Sequence, residues 1–77
     1  MNDNDNVTLT LTSIDVRRIR FKMEEARKRN LEYKAEHPEV IAFQKRCVED
    51  YTDIIKKIDQ QYAEQGGDLE VIRSAWF

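Results

Sequence analysis

Apolar and polar residues alternate near the start of the chain. Val7, Leu9 and Leu11 are separated by Thr8, Thr10 and Thr12. A period of two in threonine-rich, β-branched sequence predicts a short strand over residues 7–12, preceded by a flexible polar arm, residues 1–6. The period then changes. Thr12 or Ser13 suits a helix N-cap, and Thr12 with Asp15 has nearly the spacing of a capping box. From residue 13 to residue 35 there is no Gly or Pro, and helix-favouring Arg, Lys and Glu abound. The stretch "EHPEV" breaks this run: Pro38 disfavours helix at His37 and suits the first turn of a new helix. A second helix is predicted over residues 38–65, stopped by Gly66-Gly67. The tail, residues 68–77, reads either as a short helix capped by Asp68, with Leu69, Ile72 and Trp76 on one side, or as a strand.

The two helical patterns match each other. Val16, Ile19, Met23, Ala26, Asn30 and Tyr33 follow 3-4 spacing, as do Ile41, Gln44, Val48, Tyr51, Ile55 and Ile58. Folding the chain back at His37 sets Val16 against Ile58, Ile19 against Ile55 and Met23 against Tyr51. It also sets Ala26 against Val48 and Tyr33 against Ile41. The polar seam residues Asn30 and Gln44 then fall opposite each other, either as a register-fixing pair or as two amides reaching water at the rim of a thin hairpin. The expected fold is mainly α: a short N-terminal strand, a long antiparallel coiled-coil-like helical hairpin and a short tail, forming one domain over residues 7–77.

Such a hairpin leaves apolar side chains over. Val40, Cys47 and Ile54 make a second stripe on the second helix, and Ile14, Phe21 and Leu31 lie on the far side of the first. A lone strand also needs a partner. Both features predict a homodimer or larger homo-oligomer, with Val7, Leu9, Leu11, Asn30, Gln44 and Ile54 setting assembly and register.

Length sharpens this expectation. A chain of 77 residues buries a small core and is marginal alone. With a single cysteine it has no internal disulfide. No apolar run approaches the roughly 20 residues of a membrane span, and the acidic, polar start does not resemble a secretory signal. A cytoplasmic protein without membrane partners is expected.

The chemistry of catalysis is sparse. His37 and Cys47 are the only residues of their types. At 1.5 Å per helical residue Cys47 would lie roughly 15 Å from the turn that holds His37, too far for a nucleophilic pair. Lys34 stands where a Glu-x-x-His metal motif needs a carboxylate. Gly66-Gly67 lacks the Lys-Ser/Thr of a phosphate loop. The expectation is a non-enzyme with no cofactor, no metal and no catalytic residues.

The net charge of −2 is unevenly spread: residues 13–37 carry eight Lys or Arg against five Asp or Glu. Within "RRIRFK", Arg17, Arg18, Arg20 and Lys22 are candidate phosphate contacts, or else a solvated face offset by Glu24 and Glu25. The stretch "VTLTLTSIDVRRI" resembles the opening of ribbon-helix-helix repressors, over about the first nineteen residues. That resemblance implies strands paired between two chains, Thr8 and Thr10 facing bases, and Val7, Leu9 and Leu11 facing a core. "EHPEV" stands where that family introduces its second helix with Gly and Ser or Thr.

At the other end, "VIRSAWF" carries interface-prone aromatics. Trp76, Phe77 and Ile72, with Phe21, are candidate contacts for another protein. Alternatively, the tail folds back over Phe21 and Leu31. The function expected first is non-catalytic protein–protein interaction, regulatory or inhibitory, in the style of small phage accessory proteins. The second is a dimeric DNA-binding transcriptional regulator of ribbon-helix-helix-like type.

Overall fold

A computed structural model describes residues 5–73. It contains helix α1 (Ser13–Glu32), helix α2 (Pro38–Glu64) and a short helix α3 (Leu69–Arg73). The two long helices pack together as a hairpin, and α3 folds back mainly against α1.

Local chemistry fixes each boundary. Thr12 Oγ1 accepts the Asp15 N–H at 3.1 Å, and the Asp15 carboxylate accepts the Thr12 N–H at 3.1 Å. This reciprocal capping box satisfies two donors that the first turn would leave orphaned. Those hydrogen bonds hold the Asp15 carboxyl below its ordinary pKa. α1 ends three residues before the predicted position 35. Tyr33 is already extended, with φ −72° and ψ 126°, and the chain stays non-helical through His37, which Pro38 restricts. The Gln44 amide reaches across from α2 and donates to the carbonyls of Asn30 at 3.4 Å and Tyr33 at 3.3 Å. It thereby takes up acceptors that the end of α1 leaves open.

α2 ends in a Schellman turn. Gly67 N–H donates to Tyr62 O at 2.9 Å and Gly66 N–H to Ala63 O at 3.0 Å. Gly66 has φ +84°, a conformation that disfavours a side chain. Gly67 is required for a different reason: a Cβ there would overlap the ring of Tyr62. Asp68 then caps α3, accepting the Glu70 N–H at 3.0 Å. The tail is therefore helical through Arg73, and Ile72 is its buried residue, only 1% exposed.

The strand expected over residues 7–12 is absent among the described residues. That segment has no regular structure, because a strand is defined by a neighbour's ladder and none of the described residues supplies one. Val7, Leu9 and Leu11 remain largely exposed, Leu9 at 70%.

The core is thin. Ile55 and Ile72 are the buried apolar side chains among the described residues, joined by the charged Arg20 at 6% exposure. The described chain measures 43 × 35 × 16 Å, a flat plate of helices. Replacing Gly67 with Ala should cost about 1–3 kcal/mol by overpacking against Tyr62. Gly66→Ala should cost about 1–2 kcal/mol through backbone strain alone. Urea unfolding of both variants measures this, and a neutral Gly67→Ala would contradict the Tyr62 contact.

Candidate interaction surface

The best-defined polar site joins all three helices. The Arg20 guanidinium on α1 grips the Asp59 carboxylate on α2 with two parallel bonds, Nε to Oδ1 at 2.7 Å and Nη2 to Oδ2 at 3.1 Å. Its Nη1 donates to Glu24 at 2.9 Å. Arg73 at the end of α3 donates to the same Asp59 at 3.3 Å. The two-pronged geometry suits a planar guanidinium against a planar carboxylate. The Arg20 hydrogen bond, more than any other influence, keeps the Asp59 carboxyl below its ordinary pKa. The same bond raises the Arg20 pKa.

This joint changes the standing of Arg20. Read from sequence as a candidate phosphate contact, it is buried and occupied by carboxylates of its own chain. Among its neighbours in "RRIRFK", Arg18 and Lys22 are exposed, whereas Arg17 is half-buried and engaged. Lys22 makes a 3.9 Å contact with Glu25, which also pairs with Arg29. Sequence reasoning missed Asp59 because a charged residue reads as solvated. Its signal was a carboxylate beside Ile58, about one and a half turns from the level of Arg20 in the folded-back hairpin.

A half-open apolar groove of about 310 Å³ lies where the N-terminal segment meets the hairpin. Val7, Leu9 and Leu11 form one wall, with Val16, Ile19, Ile58 and Tyr62 opposite and Gln61 and Gln65 at the edge. The Tyr62 hydroxyl is held by Ser13 at 3.0 Å. The lining holds no Asp, Glu, His, Lys or Arg, so the groove suits apolar side chains. Thr8 and Thr10, on the same N-terminal segment, are exposed.

The remaining candidates are scattered. Asn30 and Gln44 meet at one level, but their amides do not bond each other. Asn30 donates to Ala26 O on its own helix at 2.9 Å, while Gln44 serves the end of α1. Ile72, a candidate partner contact, fills the fold instead, and Phe21 is half-buried. Trp76 and Phe77 lie outside the described residues. Ile54 is 37% exposed. Phe43, which the sequence reading passed over, is 64% exposed. It sits three residues from Val40 and four from Cys47, the spacing of one helix face.

Among the described residues, no group of three or more His, Cys, Asp or Glu side chains could hold a metal ion. No helix there is long and apolar enough to cross a membrane. No protein-family model matches the chain, and comparison with curated proteins and with solved structures gives no significant match.

Removing Asp59 strands Arg20 inside the joint. Asp59→Ala should cost about 3 kcal/mol, whereas the paired change Arg20→Met with Asp59→Leu should be near neutral. Chemical denaturation of the single and double variants tests this. The depressed Asp59 pKa also sets a pH dependence. Its contribution to stability is complete above the carboxylate's unfolded pKa of about 3.9 and is lost as pH falls through the lower folded value. Wild type should lose stability in that acidic window, and the Arg20→Met/Asp59→Leu double variant should lose less. Equal acid sensitivity would refute the linkage.

Proposed function

We infer that the chain is a small non-catalytic protein–protein interaction module. In this reading it regulates or inhibits a partner protein, in the manner of a phage accessory protein, and works as a helical homo-oligomer. The observation that carries the reading is the amount of large apolar side chain left outside the fold. Val7, Leu9, Ile14, Leu31, Tyr33, Ile41 and Phe43 are all exposed. They occur on the N-terminal segment and both long helices, more widely than the isolated apolar residues of an ordinary monomer surface. The tail residues Trp76 and Phe77 supply the aromatic anchor. A cytoplasmic setting, with Cys47 as a free thiol, is part of the proposal.

The second reading is a dimeric DNA-binding regulator. It is favoured by one observation: Thr8 and Thr10 stand exposed on an irregular segment just before the start of α1. Arg18 and Lys22 would then contact phosphates.

Affinity capture from host lysate, with and without nuclease, separates the two. Under the first reading, a protein partner persists after nuclease and falls away with Trp76→Ala. Under the second, nucleic acid is recovered and lost at moderate salt, and altering Thr8 and Thr10 shifts sequence preference.

A further inference from the structure

We propose that one broad face of the hairpin packs against the same face of a second copy of this chain, forming an antiparallel four-helix bundle about a two-fold axis parallel to α1 and α2. The proposal rests on the reading above that the chain assembles with itself, and it names the surface and the symmetry.

Three observations lead to it. First, α2 carries a row of apolar residues beside its α1 contact. Val40, Phe43, Cys47 and Ile54 recur at helical spacing, up to the point where the N-terminal segment lies against Ile58 in the groove. Val40 is 40% exposed, Phe43 64% and Ile54 37%. α3 packs mainly on α1, beside the Asp59 edge of α2. Asp59 lies about 140° around the helix from Ile54 at 100° per residue, so α3 does not cover this row.

Second, the area fits. The chain exposes 6718 Å², whereas a compact protein of 9.2 kDa exposes about 4,900 Å². The excess, which the exposed N-terminal segment shares with this face, leaves room for the ~800 Å² that each partner covers in an ordinary stable interface.

Third, the charges at the two edges of this face complement each other. On α1, Asp15 and Lys22 are seven residues apart, two turns along one edge; on α2, Asp50 and Lys57 repeat that order. The Ser13–Tyr62 and Gln44–Asn30 contacts set the hairpin register. In that register Asp15 is level with Lys57, and Lys22 with Asp50, within one helical turn. A two-fold axis parallel to the helices preserves these levels and lays α1 of one copy over α2 of the other. Asp15 then meets Lys57 of the second copy, and Lys22 meets its Asp50, with each pair made twice. Rotation about a perpendicular axis would instead set α1 on α1 and pair Asp15 with Lys22, an arrangement in which Asp50 has no part in rescuing Lys22→Glu.

Sedimentation equilibrium of the full chain across a wide concentration range, with helix content followed by circular dichroism, tests the proposal. Wild type should dimerise. Ile54→Lys should keep its helix content and weaken the dimer at least about a hundredfold, since each dimer carries the change twice. Phe43→Glu, at a more exposed position, should do the same and serves as the folding-safe variant. Lys22→Glu should weaken the dimer by about tenfold, and adding Asp50→Lys should restore it. A dimer indifferent to both Ile54→Lys and Phe43→Glu would overturn this face while leaving self-association standing. Failure of Asp50→Lys to rescue would overturn the two-fold arrangement. A wild type that stays monomeric throughout would overturn both the face and the homo-oligomer reading.

Discussion

The placement of the three helices depends on the ion pair between Arg20 and Asp59. Burying a guanidinium and a carboxylate carries a desolvation cost that their attraction offsets only when the geometry is good and the remaining hydrogen-bonding capacity is used. Here both conditions hold. The fork is bidentate, Glu24 takes a further Arg20 donor, and Arg73 takes part of Asp59. The pair adds less to net stability than apolar side chains of the same volume could. Its value is directional. A planar fork meets a planar carboxylate over a narrow range of angles, so it fixes how α1 lies against α2. Arg73 then brings α3 to the same point, where Ile72 is enclosed.

That constraint matters because little else is buried. Full burial of an Ile side chain contributes about 1.5–3 kcal/mol, and the described chain buries only two. A protein of this size is expected to have a net stability of some 4–12 kcal/mol. The caps therefore carry unusual weight: the Thr12–Asp15 box, the Gln44 amide on the end of α1 and the Schellman turn at Gly66 each satisfy backbone groups that would otherwise be orphaned. A single flat layer of helices stabilised by its ends and by one ionic joint leaves a face uncovered, which the second copy would cover in the proposed assembly. The apolar row on α2 is where that copy would lie.

Much of this was legible in the sequence. Periodicity gave both long helices to within a few residues, and Pro38 and Gly66-Gly67 marked their boundaries. Thr12 and Asp15 announced the cap because capping depends on near neighbours alone. The features that escaped depend on distant ones. Arg20 looked like surface because charged residues usually are, and only the pairing with residue 59 makes it core. Residues 7–12 have the composition of a strand, but strand identity belongs to a pair, and none of the described residues pairs with them. Asn30 and Gln44 were placed at one level, yet their amides found backbone carbonyls rather than each other. A backbone acceptor at a helix end is always present, whereas a side-chain acceptor must be positioned.

The same joint weighs on the choice between the two functional readings. Electrostatic affinity for nucleic acid grows with the number of phosphates that free cations neutralise. Of the four basic residues in "RRIRFK", Arg20 is spent on Asp59 and Glu24, and Arg17 is half-buried. Arg18 and Lys22 are left pointing outward. Further along α1, Arg29 and Lys28 face Glu25 and Glu32. The helix keeps a basic excess, but several of its cations are matched to carboxylates of the same chain. Ile14 and Leu31 on the same helix are, by contrast, largely exposed. The unbalanced quantity in this fold is apolar area rather than positive charge, and that favours recognition of protein over recognition of phosphate.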